Sequence, residues 1–148
     1  MSLRVGGDAA LVIPNSAGLL EDLARPEAYP APRPKTIRLI TTHISWVFIT
    51  DHHVWKLKRP VNYGFVDYTS LDRRRYFCHE EVRVNSRLAP DVYLGVVPVR
   101  LEGGLHSFTS NGTVVDYAVR MRRLPETASA ESLLRHDHLT HEQLERLA

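Results

Sequence analysis

The sequence predicts an α+β domain, an antiparallel sheet of about five strands with one long packed helix and short helices at both ends. Three observations carry this. β-Branched and aromatic residues crowd the stretches "TIRLITTHISWVFITD", "VWKLK", "YLGVVPVRL" and "VVDYAVRMRRL", a composition that favours strands. The stretch "TSLDRRRYFCHEEVRVNSRLAP" runs free of glycine, and of proline until Pro90, and carries apolar residues at helical spacing. Strands come first, then the helix, then two more strands, an order that belongs to a mostly antiparallel α+β layout.

Taken in order, residues 1–15 read as a loosely ordered leader ahead of a domain over 16–125. "SAGLLEDLAR" opens that domain as a short helix, with Ser16 as its cap and Leu19, Leu20 and Leu23 on one face. "PEAYPAPRP" holds four of the nine prolines and is extended. "TIRLITTHISWVFITD" supplies one or two strands, "DHH" turns the chain, and "VWKLK" is a strand whose ladder Pro60 ends. In the long helix, Thr69 with Asp72 resembles a capping box and Pro90 marks the far end. "EGGLHSFTSNGT" reads as a loop with hairpin chemistry between the last two strands. Residues 126–148 form a helical segment, one or two short polar helices with Thr140 capping the second.

Composition narrows the function classes. At 148 residues the chain suits one domain, and 43% hydrophobic with 24% charged residues describes a globular protein. A formal charge of +2 and a pI near 8.9 do not argue for nucleic acid without a concentrated basic face. Arg73, Arg74 and Arg75, which fan around the helix, and Arg120-Met121-Arg122-Arg123 read as a solvated face or as contact with a phosphorylated ligand. The single cysteine, Cys78, excludes an internal disulfide framework, fits a cytoplasmic setting and reads as a buried small hydrophobe. No apolar run reaches the roughly 20 residues needed to cross a bilayer. Eight histidines occur without a cysteine pair or an HExxH motif, and no metal site is expected.

Two polar residues stand out in apolar settings. Alternation on a strand puts Val54, Lys56 and Lys58 on one face and Trp55 and Leu57 on the other. On the helix, Phe77, Glu81, Val84 and Leu88 recur at i, i+4, i+7 and i+11, so Glu81 lies within an apolar stripe while Glu80 turns to solvent. A buried carboxylate demands a cation, and Lys56 is the expected partner of Glu81. From spacing alone, a purely structural ion pair or two half-exposed residues remain the plainer readings.

From "THISWVF" through "VWKLKRPVNYGFVDYTSLDRRRYFCHEEVRVNSRLAPDVYLGVVPV" to "DYAVRMRRLP", the chain resembles the aminoglycoside-phosphotransferase-like family of bacterial proteins. Some members carry a P-loop ATPase domain behind the kinase-like one. The resemblance covers roughly residues 16–148 and implies a protein-kinase-like N-lobe, followed in 126–148 by a segment leading towards a C-lobe that the chain lacks. It implies that Val54 covers the nucleotide base, that Lys56 holds the α- and β-phosphates with Lys58 as the alternative, and that Glu81 fixes the lysine. It also implies a hinge near Met121, Arg122 and the residues to Leu124.

The resemblance has gaps. "THISWVFITDHHV" contains no glycine where a kinase lays a glycine-rich loop over the phosphates. The His-x-Asp-x-x-x-x-Asn loop and the magnesium-binding aspartate are missing, and His136-Asp137 does not replace them. The chain is thus expected to be catalytically incomplete: an ATP-binding lobe of a small-molecule kinase. ATP and magnesium would act in the full-length enzyme, with a C-terminal lobe in cis or trans. The alternative is a non-catalytic binding or regulatory module, or a single-lobed paralogue whose exposed surfaces drive homodimerisation.

Overall fold

The architecture is described for residues 16–124 of a computed structural model. The leader and the helical segment expected beyond residue 125 lie outside the described residues. The chain begins with helix α1 (Ser16–Leu23) and a 3-10 turn (Pro26–Ala28). Then come β1 (Arg38–Thr41), β2 (Ser45–Ile49) and β3 (His53–Lys58), helix α2 (Leu71–Asn85), and β4 (Tyr93–Glu102), β5 (Leu105–Ser107) and β6 (Thr113–Arg122). All six strands join one antiparallel sheet in the order β1-β2-β3-β6-β4-β5. The predicted sheet and long helix are present.

The sixth strand is β5, inside the stretch read as a loop. It is three residues long, too short for alternation to show. Gly103 and Gly104, at φ of 61° and 82°, make the two-residue turn that folds it back on β4, because both turn positions need the left-handed conformation that glycine adopts freely.

Each face of the sheet buries a different layer. On one face Trp46, Phe48, Trp55, Leu57, Val99 and Ala118 pack with Leu19 and Leu23 of α1 and with Tyr29. A fully buried side chain such as Leu57 contributes about 1.5–3 kcal/mol there. On the other face Val47, Ile49, Val54, Val119 and Met121 meet Cys78 and Val82 of α2, with Tyr93. A third cluster, Ile44, Val61, Val66 and Tyr68, anchors the β3–α2 connection against Phe77.

Helix α2 departs from the sequence reading in three ways. Its cap is Ser70, whose Oγ accepts from the Arg73 N–H at 3.1 Å. Thr69 instead bonds Asp67. The helix ends at Asn85, before the turn that precedes Pro90, so Leu88 lies beyond the periodic segment and is 76% exposed. The buried stripe is Arg74, Cys78, Glu81 and Asn85; of the residues expected beside Glu81, Phe77 and Val84 are only half-buried. Arg74 therefore does not belong to a solvated face.

Candidate functional site

Strand β3 is central, paired with β2 on one side and β6 on the other, and from Val54 to Lys58 its side chains are buried on both faces of the sheet. Lys56 and Lys58 point towards α2, about 7 Å apart along the strand. Helix α2 brings Glu81 between them. Glu81 Oε2 accepts from Lys56 Nζ at 3.1 Å and Oε1 from Lys58 Nζ at 2.6 Å. The three side chains are 2%, 1% and 0% exposed. Two ammonium groups thus converge on one carboxylate, and the shorter contact belongs to Lys58. That ammonium also sits 5.2 Å from the centre of the Tyr68 ring. Burial is the largest influence and opposes its charge, but the Glu81 carboxylate together with Tyr68 and Cys78 outweighs it, and the Lys58 pKa is raised. Burial likewise pushes the Cys78 thiol up to about 12, which leaves no thiolate for nucleophilic work.

A second buried pair braces the first. Arg74 Nε donates to Asp116 Oδ1 of β6 at 3.0 Å, and Arg74 Nη1 donates to the carbonyls of Tyr68 and Thr69. The Tyr117 N–H also donates to Asp116 Oδ1. Burial raises the Asp116 pKa, with Arg74 opposing it. This link ties the first turn of α2 and the chain before it to the sheet, and so sets where Glu81 falls. Sequence reasoning missed both residues. An aspartate inside "VVDYAV" was the available signal, the same anomaly that marked Lys56.

The other candidates scatter. Val54 is fully buried opposite Met121, within the cluster that holds Cys78 and Tyr93; neither residue offers an open surface. Arg122 pairs across the sheet with His53 and so lies on the face away from α2. Glu80 is half-buried and pairs with Arg83 at 2.7 Å. In the β1–β2 turn the backbone donors of Thr42, Ile44 and Ser45 are engaged within the turn itself. The Ile44 and Ser45 N–H groups donate to Thr42 Oγ1, and the Thr42 N–H donates to Ser45 O. Its Thr42 and His43 carbonyls accept from Arg59.

Among the described residues, no group of three or more His, Cys, Asp or Glu is placed to hold a metal, and no helix is long and apolar enough to cross a membrane.

Comparison with known proteins adds a sequence relationship without a function. No protein-family model matches the chain, and no solved structure matches it. The chain is 31% identical over 81 residues to uncharacterized proteins of Mycobacterium tuberculosis and Mycobacterium bovis. Those residues are 55% of this chain and 16% of each relative, so the bulk of each mycobacterial protein lies outside the match.

Proposed function

We propose that this domain is the nucleotide-binding lobe of an aminoglycoside-phosphotransferase-like small-molecule kinase, acting in the cytoplasm. What supports the reading is the Lys56–Lys58–Glu81 cluster, buried between a central strand and the helix that follows it. The donor set suits a polyphosphate. Compact ammonium groups carry three donors each, and a shared carboxylate holds them in place. ATP with magnesium would supply the γ-phosphoryl group for a hydroxyl of a small molecule. In this reading Lys56, which makes the longer contact to Glu81, meets the α- and β-phosphates, and Lys58 and Glu81 keep its position. The acid–base and magnesium-binding residues would come from a C-terminal lobe in cis or trans, and a P-loop ATPase domain is a further candidate partner. Because the ammonium groups are covered, nucleotide entry requires the side chains over them to move, Tyr68 foremost.

One observation favours a second reading. Lys56, Lys58, Glu81 and Val54 are all closed to solvent, as they would be in a non-catalytic module that dimerises or regulates. Titrating the 148-residue chain with ATP by calorimetry separates the two. The kinase-lobe reading expects saturable binding, weakened about tenfold or more in Lys56→Met, a loss of about 1.4 kcal/mol or more. Absence of ATP binding in the wild type, or equal binding in wild type and variant, would count for the module. Neither protein is expected to transfer phosphate unaided.

A further inference from the structure

On the sheet face opposite the lysine cluster, where β3 starts and β6 ends, lies an open cleft of about 730 Å³. Asp51, His52, His53, Leu94, Arg122, Arg123 and Leu124 line it. Its volume falls in the range of small-molecule sites.

Both guanidinium groups are held in position without being neutralised. Arg122 Nε donates to Asp91 O at 3.0 Å and Arg123 Nη1 to Thr50 O at 2.9 Å. The Arg122 and Arg123 backbone N–H groups are bonded to Val92 O and His52 O. Among the described residues neither arginine has a carboxylate partner. Asp51 is the acid at the cleft, and its two oxygens already accept from the Lys35 N–H, the Thr36 N–H and Thr36 Oγ1. These bonds, with a smaller contribution from His52, hold its pKa down to about 2.

The histidines add a second element. Arg120 Nη2 lies 3.2 Å from His53 Nε2, which makes that nitrogen an acceptor and the ring neutral. Burial first, and then Arg120, His52 and Arg122, lower the His53 pKa. An anion entering the cleft would relieve this crowding of positive charge and would meet guanidinium forks whose remaining N–H donors bond no other group among the described residues. A dianion gains more from two such forks than a monocarboxylate does. Leu94, an exposed leucine, gives an apolar surface beside them.

We propose that this cleft binds a phosphorylated small molecule, with its phosphoryl group between Arg122 and Arg123 beside the two imidazoles and its apolar part on Leu94. The site is separate from the lysine cluster and stands or falls without the kinase reading.

The test follows the imidazole NMR signals of His52 and His53 in the 148-residue chain. The chain is titrated with inorganic phosphate, phenyl phosphate and, at matched ionic strength, chloride. The expected result is saturable shifts with both phosphates and none with chloride. Phenyl phosphate should bind about tenfold tighter, and a rise in the His53 pKa should accompany binding. The paired substitution Arg122→Ser and Arg123→Ser should weaken binding at least about tenfold. Since those side chains also bond backbone carbonyls, His52→Glu at the exposed turn provides a variant that leaves the fold intact and should have the same effect. Identical shifts with chloride, or wild-type affinity in both variants, would overturn the site. Equal affinity for the two phosphates would overturn the organic ligand and leave a free-phosphate site.

Discussion

Strand β3 shows two ways of filling an interior. Towards α1, Trp55 stacks on Phe108 at 4.5 Å and meets Tyr29 edge-on at 5.3 Å, while Leu57 is wholly covered. Towards α2, the same strand buries Lys56 and Lys58 against one glutamate. The apolar face stabilises in proportion to the area taken from water. On the charged face, desolvation offsets most of the Coulomb gain, and an apolar replacement of similar volume would hold the fold as well or better. Stability therefore accounts for Trp55 and Leu57, whereas the lysine cluster is expected to add little to it. The difference directs the search for function to the α2 face.

The largest expected effect comes from breaking the charged face at one point. Glu81→Ala leaves two buried ammonium groups without their shared carboxylate and is expected to cost about 3–5 kcal/mol, read from the urea midpoint at pH 7. Leu57→Ala, the matching lesion on the apolar face, is expected to cost about 2–5 kcal/mol through lost transfer energy and a cavity. If Glu81→Ala proved neutral, the contrast between the faces would fail. The contrast sharpens when the whole cluster is replaced. Lys56→Met, Lys58→Met and Glu81→Leu together should leave stability unchanged or raise it by about 1–4 kcal/mol and, on the kinase-lobe reading, should also abolish ATP binding. A large loss of stability would instead make the cluster a structural necessity.

Smaller effects concern the frame around both faces. Ser70→Ala removes the bond to the Arg73 N–H and is expected to cost about 1 kcal/mol; an unchanged melting temperature would show that the cap contributes nothing. Asp51 has a folded pKa near 2, below its ordinary value of 3.8. Its contribution is therefore present above about pH 4 and lost as pH falls towards 2. Asp51→Asn should be less stable than wild type at pH 6, with the difference disappearing near pH 2. A constant difference across that range would remove the carboxylate from the account.

How legible these features were depended on their range along the chain. Lys56 and Glu81 stood out because a charge inside a regular apolar pattern is visible locally, and alternation on β3 correctly separated Lys56 and Lys58 from Trp55 and Leu57. The α2 stripe was misphased because Leu88 looked like its continuation, although the helix stops at Asn85 and Leu88 is solvent-exposed. Arg74 was assigned to solvent by the usual habit of arginine. What buries it is Asp116, 42 residues further on, a pairing that no local pattern encodes. Strand β5 was hidden among glycines and serines, since three residues gain strand geometry only from a partner.

By itself the sequence determined which segments could be strand or helix, which strand carried charge on one face, and that a glutamate on the following helix would need a cation. These follow from the two-residue and 3.6-residue periods, which any short segment carries. Tertiary structure alone decided that both lysines share Glu81, that Arg74 and Asp116 brace it, that Val54 is closed over, and that Arg122 faces a cleft on the opposite side. Those outcomes depend on sheet order and on the placement of α2 over it, and burial is a property of that arrangement rather than of any segment.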